Sequence, residues 1–318
     1  MFDGFNYTVQ GESHIQSGKV CQDWSDFKAH EKYAVAVVAD GHGSKKHFRS
    51  DVGSKLAVKV TLKTIDNFYH NADEFEKSFV KNPKKVIKKI QKYIISYWNK
   101  EVSWYHRNNP VTDDEKKNFT NDEFKAIKME SIYGTTLIAV VMGENFSFGI
   151  QIGDGSLVVL ENDCETGMPI DGDENPANLT ASMCNSNAID MFNLFYTFNK
   201  PLAMFVSTDG LYTSFGSAED FLDYHTIIAG QFNDVNEFKE IVLRNLTKRT
   251  KYGTQDDISF SCVFDKELID ENLSAIKNQI QVNNSRAAMR KAEHVARIKK
   301  MKAKQAMLRQ QREEEEQQ

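Results

Sequence analysis

The segment Tyr33–Ser44, YAVAVVADGHGS, constrains this chain more than any other. Tyr33 to Ala39 is a run of Ala and Val with no charged residue on either alternating face, which predicts a strand buried on both sides. The run stops abruptly at Asp40-Gly41-His42-Gly43. A carboxylate and an imidazole between glycines suit metal binding or proton transfer, because the backbone there can turn sharply and approach a ligand. The same residues also make an ordinary strand-to-helix turn whose Asp caps a helix starting near Ser50. Other acidic strand ends converging with this one would decide between the two readings.

Such ends exist. Gly134-Thr135-Thr136 leads into the apolar run LIAVVMG, and Phe146 to Ile152, its expected hairpin partner, ends in Gly153-Asp154-Gly155. Leu202 to Ser207 ends in Thr208-Asp209-Gly210, and Asp256-Asp257 opens the run ISFSCVF. Residues 5–10 and Ser156 to Leu160 complete the expected strands. Apolar residues at helical spacing predict helices from Ser50, from Pro83 to about His106, and near 217–229 and 234–250. Residues 110–122 are expected as a charged loop, with Thr120 and Glu123 as the capping box of a short helix. Residues 161–200, rich in Asp, Asn, Gly and Pro, are expected as an irregular surface excursion. This mixed order does not match strict βαβ alternation.

At 318 residues and 40% hydrophobic, the chain can bury a sizeable core. A net charge of -5 and a pI near 6.0 supply no global field toward nucleic acid or membrane. No apolar run approaches the roughly 20 residues of a membrane span, and the first residues lack the basic-then-apolar pattern of a signal peptide. Cys21, Cys164, Cys184 and Cys262 show no metal-ligand spacing. Reduced thiols in a cytoplasmic protein are the expectation.

Carboxylates gathered at one point repel one another unless a cation neutralises them. Hard oxygen donors without Cys or His clusters favour Mg²⁺ or Mn²⁺ over Zn²⁺. Two such ions about 3.5–4 Å apart can polarise a phosphoryl group and turn water into a nucleophile. Neither a Walker-type loop nor a kinase signature is present, so nucleotide-dependent transfer is not indicated.

Taken in order, Gln22-Asp23, Asp40-Gly41-His42-Gly43, Gly134-Thr135-Thr136, Gly153-Asp154-Gly155, Ser207-Thr208-Asp209-Gly210 and Asp256-Asp257-Ile258-Ser259 resemble the motifs of the PPM family. These are the metal-dependent, protein phosphatase 2C-like serine/threonine phosphatases, and the likeness is to their compact bacterial-type branch. It covers roughly residues 5–265 and implies an α+β fold, a central β-sandwich flanked by helices in α-β-β-α layers. It also implies a dinuclear Mn²⁺ or Mg²⁺ site at one end.

By that resemblance Asp40 would bridge both ions, the Gly41 carbonyl would bind the first, and Asp209 and Asp256 would bind the second. Asp23 would hold a metal-bound water by hydrogen bonding, with Gln22 beside it in the outer shell. His42, an imidazole near its neutral pKa, would be the general acid. Water would attack a phosphorylated Ser or Thr of a protein substrate directly, without a phosphoenzyme. Asp154, shared with Asp209, would be a ligand for a third ion, weak or absent because Thr213 stands where some members carry another acid. Many members place an Arg where this chain has Gly18, and the neighbouring Lys19 is a point-charge substitute without the planar fork. His14 and His47 are expected as local hydrogen-bonding residues, and Asp171, Asp173 and Glu174 as a solvated acidic loop.

From about Lys266 the composition changes, dividing the chain into a catalytic domain, 1–265, and a charged tail, 266–318. Residues 285–312 are basic apart from Glu293, and Glu313 to Glu316 oppose them. Good helix formers predict a long exposed helix or a partly disordered segment, and the apolar positions do not sustain heptads. A solvated helix fits, and so does an electrostatic dock for an acidic partner or nucleic acid. In the second case the chain would be a catalytically weak, phosphatase-like scaffold acting through its tail.

Overall fold

In the computed structural model, which describes residues 1–170, 180–233 and 235–316, with side chains outside 235–237 and 306–316, Tyr33–Ala39 is a strand buried throughout. Asp171, Asp173 and Glu174 lie outside the described residues. The strands are β1 (Phe2–Val9), β2 (Trp24–Ala29), β3 (Tyr33–Ala39), β4 (Leu137–Gly143), β5 (Ser147–Ile152), β6 (Ser156–Leu160), β7 (Thr166–Gly167), β8 (Asn193–Thr197), β9 (Ala203–Ser207) and β10 (Ile258–Asp265). One antiparallel sheet runs β1-β10-β9-β6-β7 and the other β2-β3-β4-β5-β8. The helices are α1 (Glu12–Ser17), α2 (Ser50–Tyr69), α3 (Ala72–Lys81), α4 (Pro83–Asn108), α5 (Asp113–Lys116), α6 (Asn121–Ala126), α7 (Met129–Ile132), α8 (Asp209–Tyr212), α9 (Ala218–Ala229), α10 (Val235–Arg249) and α11 (Lys266–Glu316).

Period-two alternation explains why β3 has no polar face. Ala34, Ala36 and Val38 face the opposite sheet and meet Leu157, Met204, Val206 and Val263. Val35, Val37 and Ala39 point the other way, into a core shared with Ile65 of α2 and with Ile94 and Trp98 of α4. On the far sheet Phe205, Phe260 and Phe264 lie under Phe221, Phe238 and Ile276 from α9, α10 and α11. Each fully buried Val or Ile contributes roughly 1.5–3 kcal/mol, so a strand covered on both faces stabilises two of these cores at once. The result is the expected α-β-β-α arrangement.

The antiparallel register gathers the motifs. Trp24 pairs with Ala39, Val38 with Ile138 and Leu137 with Ile152 in one sheet. Val9 pairs with Ile258, and Ser207 with both Phe260 and Ser156, in the other. The ends of β1, β3, β5 and β9 therefore share one edge of the sandwich with the starts of β2, β4, β6 and β10.

Several elements differ from expectation. The first strand is Phe2–Val9 rather than residues 5–10, and α1 occupies the expected polar turn. The helix α3 buries Phe75 and Phe79, a short amphipathic pattern hidden between two longer helices. The expected loop at 110–122 contains α5, closed by a Thr112–Glu115 capping box. Within the expected excursion, β8 pairs with β5 as a sheet edge. Edge strands bury little, so β2 and β8 carry weak periodicity in sequence.

The C-terminal region is one helix. Ile269 and Ile276 of α11 are buried in the outer core, so the packed body continues past residue 265. Arg290 bridges Asp220 and Asp223 at 3.2 and 3.1 Å, and from Lys291 to Gln305 every described side chain is exposed. Among the described residues no helix is long and apolar enough to cross a membrane.

Candidate active site

Asp40 directly follows β3, and Thr135 and Thr136 clamp its backbone. Its N–H donates to Thr136 Oγ1 at 3.0 Å. Its carbonyl accepts from Thr136 N and Thr135 Oγ1, both at 2.8 Å. With the main chain held on both polar groups, the carboxylate projects from the sandwich edge. Gly41 N donates to Gln22 O at 3.1 Å. A Cβ on Gly41 would lie 2.6 Å from Gln22 O and 2.7 Å from Ser50 O. Close approach of three chain segments, rather than an unusual torsion, requires glycine there.

The other acids come from the same edge. Asp23, 3% exposed, accepts from Thr208 Oγ1 at 2.7 Å, and Thr208 Oγ1 accepts from Ser259 N at 2.9 Å. Asp23 is thereby tied to the residue preceding Asp209, which opens α8. Asp154 is exposed and accepts from Thr180 Oγ1 at 2.9 Å. Asp256 is exposed and accepts from Asp257 N at 2.9 Å. A pocket of about 250 Å³ is lined by Gln22, Asp40, Gly41, His42, Asp154 and Asp256. Asp23 and Asp209 adjoin it as the strongest charges acting on Asp40.

These carboxyls disturb one another. Asp40 keeps some surface open to the pocket, yet its carboxyl is surrounded by protein. Burial, then Asp23, Asp209, Asp154 and Asp256, hold it well above the usual carboxylate range. Burial, then Asp257, does the same for Asp23 against the opposing Thr208 hydrogen bond. Asp209 is pushed up to about 6 by burial, then by Asp154 and Asp256, although a hydrogen bond with Asp40 opposes the rise. Groups so arranged are relieved by protons or by a cation.

Whether they suit a divalent ion is decided by their chemistry. Every acidic donor is a hard carboxylate, with the Gly41 carbonyl at the same mouth, as Mg²⁺ and Mn²⁺ prefer. Among the described residues no three His, Cys, Asp or Glu side chains stand close enough together to hold a metal ion by themselves. The donors fit the class of ion; they do not define a number of ions.

A family model described as Protein phosphatase 2C matches residues 10–247. The chain belongs to the protein phosphatase 2C family. Solved structures share the fold. PppA, a key regulatory component of T6SS in Pseudomonas aeruginosa, is 16% identical with a TM-score of 0.52, covering 83% of this chain and 97% of that one. A bacterial serine phosphatase is 15% identical with a TM-score of 0.52, covering 83% and 98%. The S. agalactiae serine/threonine phosphatase is 14% identical with a TM-score of 0.51, covering 84% and 100%. No curated protein matches the sequence.

Gly18 is the left-handed C-cap of α1, with φ 66°, a conformation that disfavours any side chain. Lys19 is exposed and lines a neighbouring groove instead of the acidic pocket. His42 lines the acidic pocket, where burial, then His47 and Lys46, push its imidazole below its usual value, to about 4. His47, whose ring centroid lies 4.9 Å from that of His42, is held through Nδ1 at the Ser131 carbonyl.

Asp257 is the residue that motif reasoning missed. It is 4% exposed and accepts from Gly11 N and Gln22 N, both at 2.7 Å. His14 Nδ1 lies 3.0 Å from it but outside hydrogen-bonding direction. This carboxylate clasps the loop carrying Gln22 and Asp23. Two adjacent acids at a strand start were the available signal, since alternation sends one inward and one outward.

Proposed function

We propose that the chain is a metal-dependent phosphoprotein phosphatase that hydrolyses phosphorylated Ser or Thr by direct attack of water, without a phosphoenzyme. One observation carries this reading: Asp23, Asp40, Asp209 and Asp256 come from separate strand ends to one edge, where burial and neighbouring carboxylates hold Asp23, Asp40 and Asp209 above the ordinary range. A buried acidic cluster without compensation is costly, so a site that collects it serves a cation.

Two Mg²⁺ or Mn²⁺ ions would supply Lewis-acid polarisation of the phosphoryl group and a water of lowered pKa. Asp40, Asp209, Asp256 and the Gly41 carbonyl would hold them, with Asp154 available to a weaker third. Thr135 and Thr136 fix the Asp40 backbone and so the direction of its carboxylate. Asp23, anchored by Thr208, would accept a hydrogen bond from the attacking water and align it. Gln22, whose Nε2 donates to the His42 carbonyl at 3.2 Å, would position the His42 turn. His42, at the pocket, would be the general acid that protonates the leaving oxygen. The four cysteines are free and take no part, as suits a cytoplasmic enzyme.

The test is hydrolysis of p-nitrophenyl phosphate and of a phosphothreonine peptide with Mn²⁺, with EDTA, and by Asp209→Asn. Turnover that needs Mn²⁺ and disappears in the variant is expected. Metal-independent turnover, or none on either substrate, removes the proposal.

A further inference from the structure

A groove of about 740 Å³ lies beside the acidic pocket and shares Gln22 and Gly43 with it. Its apolar surface comes from Val20, Phe48 and Phe119, and Lys19 and Lys45 stand on its rim. Val20 is 61% exposed, and with Phe48 and Phe119 it makes the exposed apolar part of the groove. Three separate parts of the chain build the walls: the segment after α1, the turn after Asp40, and the stretch between α4 and β4.

That last stretch is braced. Arg49, 8% exposed, makes a paired contact with Glu115, Nε to Oε1 at 2.6 Å and Nη2 to Oε2 at 2.8 Å. It also donates to the carbonyls of Asn109 at 2.6 Å and Pro110 at 3.1 Å. Capping boxes at Thr112–Glu115 and Thr120–Glu123 stiffen the two short helices on either side of Phe119. The Phe119 ring lies 5.8 Å from that of Phe48 and under Lys45 Nζ at 4.5 Å. The wall is therefore set before anything binds, which lowers the ordering cost of an occupant.

Charge indicates the occupant. Arg49 cancels Glu115, and Lys45 meets Glu123 only at 3.4 Å across an exposed contact. Lys19 adds a further cation on the rim. The groove thus offers an apolar floor under a cationic edge, continuous with the pocket that would take a phosphate.

We propose that this groove seats the stretch of a phosphoprotein flanking the phosphorylated residue, and that it selects a bulky apolar side chain next to a carboxylate. The proposal rests on the phosphatase reading above. The apolar side chain would pack between Val20, Phe48 and Phe119, and the carboxylate would meet Lys19 and Lys45. Segments with Lys in place of the carboxylate would keep only the apolar contact, and segments of small polar residues would gain neither.

The experiment uses the full chain and phosphothreonine peptides of one length whose flanks are Leu-Glu, Ser-Gly or Leu-Lys on both sides. Turnover is measured with Mn²⁺, and binding of the fluorescein-labelled peptides is followed by anisotropy in EDTA. The Leu-Glu peptide should exceed the Ser-Gly peptide by about tenfold in affinity and in kcat/KM, the usual scale for one well-filled apolar contact. Phe119→Ala should erase that preference, and Asn118→Trp, an exposed rim position that would fill the groove, should erase it independently. Both variants should hydrolyse p-nitrophenyl phosphate, which is too small to reach the groove, at the wild-type rate. Equal handling of the peptides, or a preference that survives both substitutions, overturns the groove. If the wild type binds the Leu-Glu peptide selectively but turns over no p-nitrophenyl phosphate, the groove stands and the phosphatase reading falls.

Discussion

The acidic pocket and the braced stretch beside it handle buried charge in opposite ways. At the pocket, Asp23, Asp40 and Asp209 are all held above the ordinary carboxylate range, by burial first and then by neighbouring carboxylates. A short distance away, the Arg49 hydrogen bonds hold Glu115 down at about 2, and Arg49 itself is held above its usual value. Both regions hold carboxylates close to protein, but only the second supplies the counter-charge within the protein. The difference separates charge kept for a ligand from charge kept for the fold: the first should cost stability until a cation arrives, the second should contribute at all times.

The largest test removes one pocket acid. Asp40→Asn should lower Mn²⁺-dependent phosphatase turnover on the order of 10³-fold, the scale expected when a metal site loses its central ligand. In EDTA the same variant should resist urea better than wild type, because repulsion is relieved. A metal-free variant less stable than wild type would show that the cluster is already compensated. Breaking the other region should do the reverse: Arg49→Met should cost about 3 kcal/mol of unfolding free energy by urea, leaving the half-buried Glu115 and the carbonyls of Asn109 and Pro110 without their donor. Mn²⁺ at a hundredfold excess over its dissociation constant should add about 2.7 kcal/mol to wild type by mass action. Asp209→Asn should respond distinctly less in the same titration.

Acidity sharpens the contrast further. Glu115 has a folded pKa of about 2 against an ordinary 4.5. Its contribution is therefore complete above pH 4.5 and is lost as pH falls toward 2. Between those limits wild type should lose about 1–2 kcal/mol more than Glu115→Gln, after allowance for partial exposure. The smallest effect belongs to the surface: Arg290→Ala, which removes the bridges to Asp220 and Asp223, should change stability by about 0.5 kcal/mol or less.

Much of this was legible in residue order. The double-faced run of β3, the apolar runs of β4, β9 and β10, and the acids at their ends follow from periodicity and from Gly-flanked turns. The weaker elements were hidden for the same physical reason. β2 and β8 are edge strands with few buried positions, and α3 and α5 are too short for a full apolar stripe. The tail illustrates a different limit: Ile269 and Ile276 of α11 lie in the core, yet their spacing gives no sign of what covers them.

Chain order alone determined which residues could be hard-cation ligands, since hydrophobic alternation fixes where each strand stops and Asp40, Asp154, Asp209 and Asp256 stand at those stops. Only the tertiary structure decided how they act on one another. Carboxylate repulsion, the depression of His42 and the clasp of Asp257 on Gly11 and Gln22 depend on distances across separate strands, and dielectric burial exists only once the sheets have packed. The same holds for the neighbouring groove. Arg49, Glu115 and Phe119 are ordinary residues in sequence, and they become a rigid wall only when the stretch after α4 folds back onto the turn that follows Asp40.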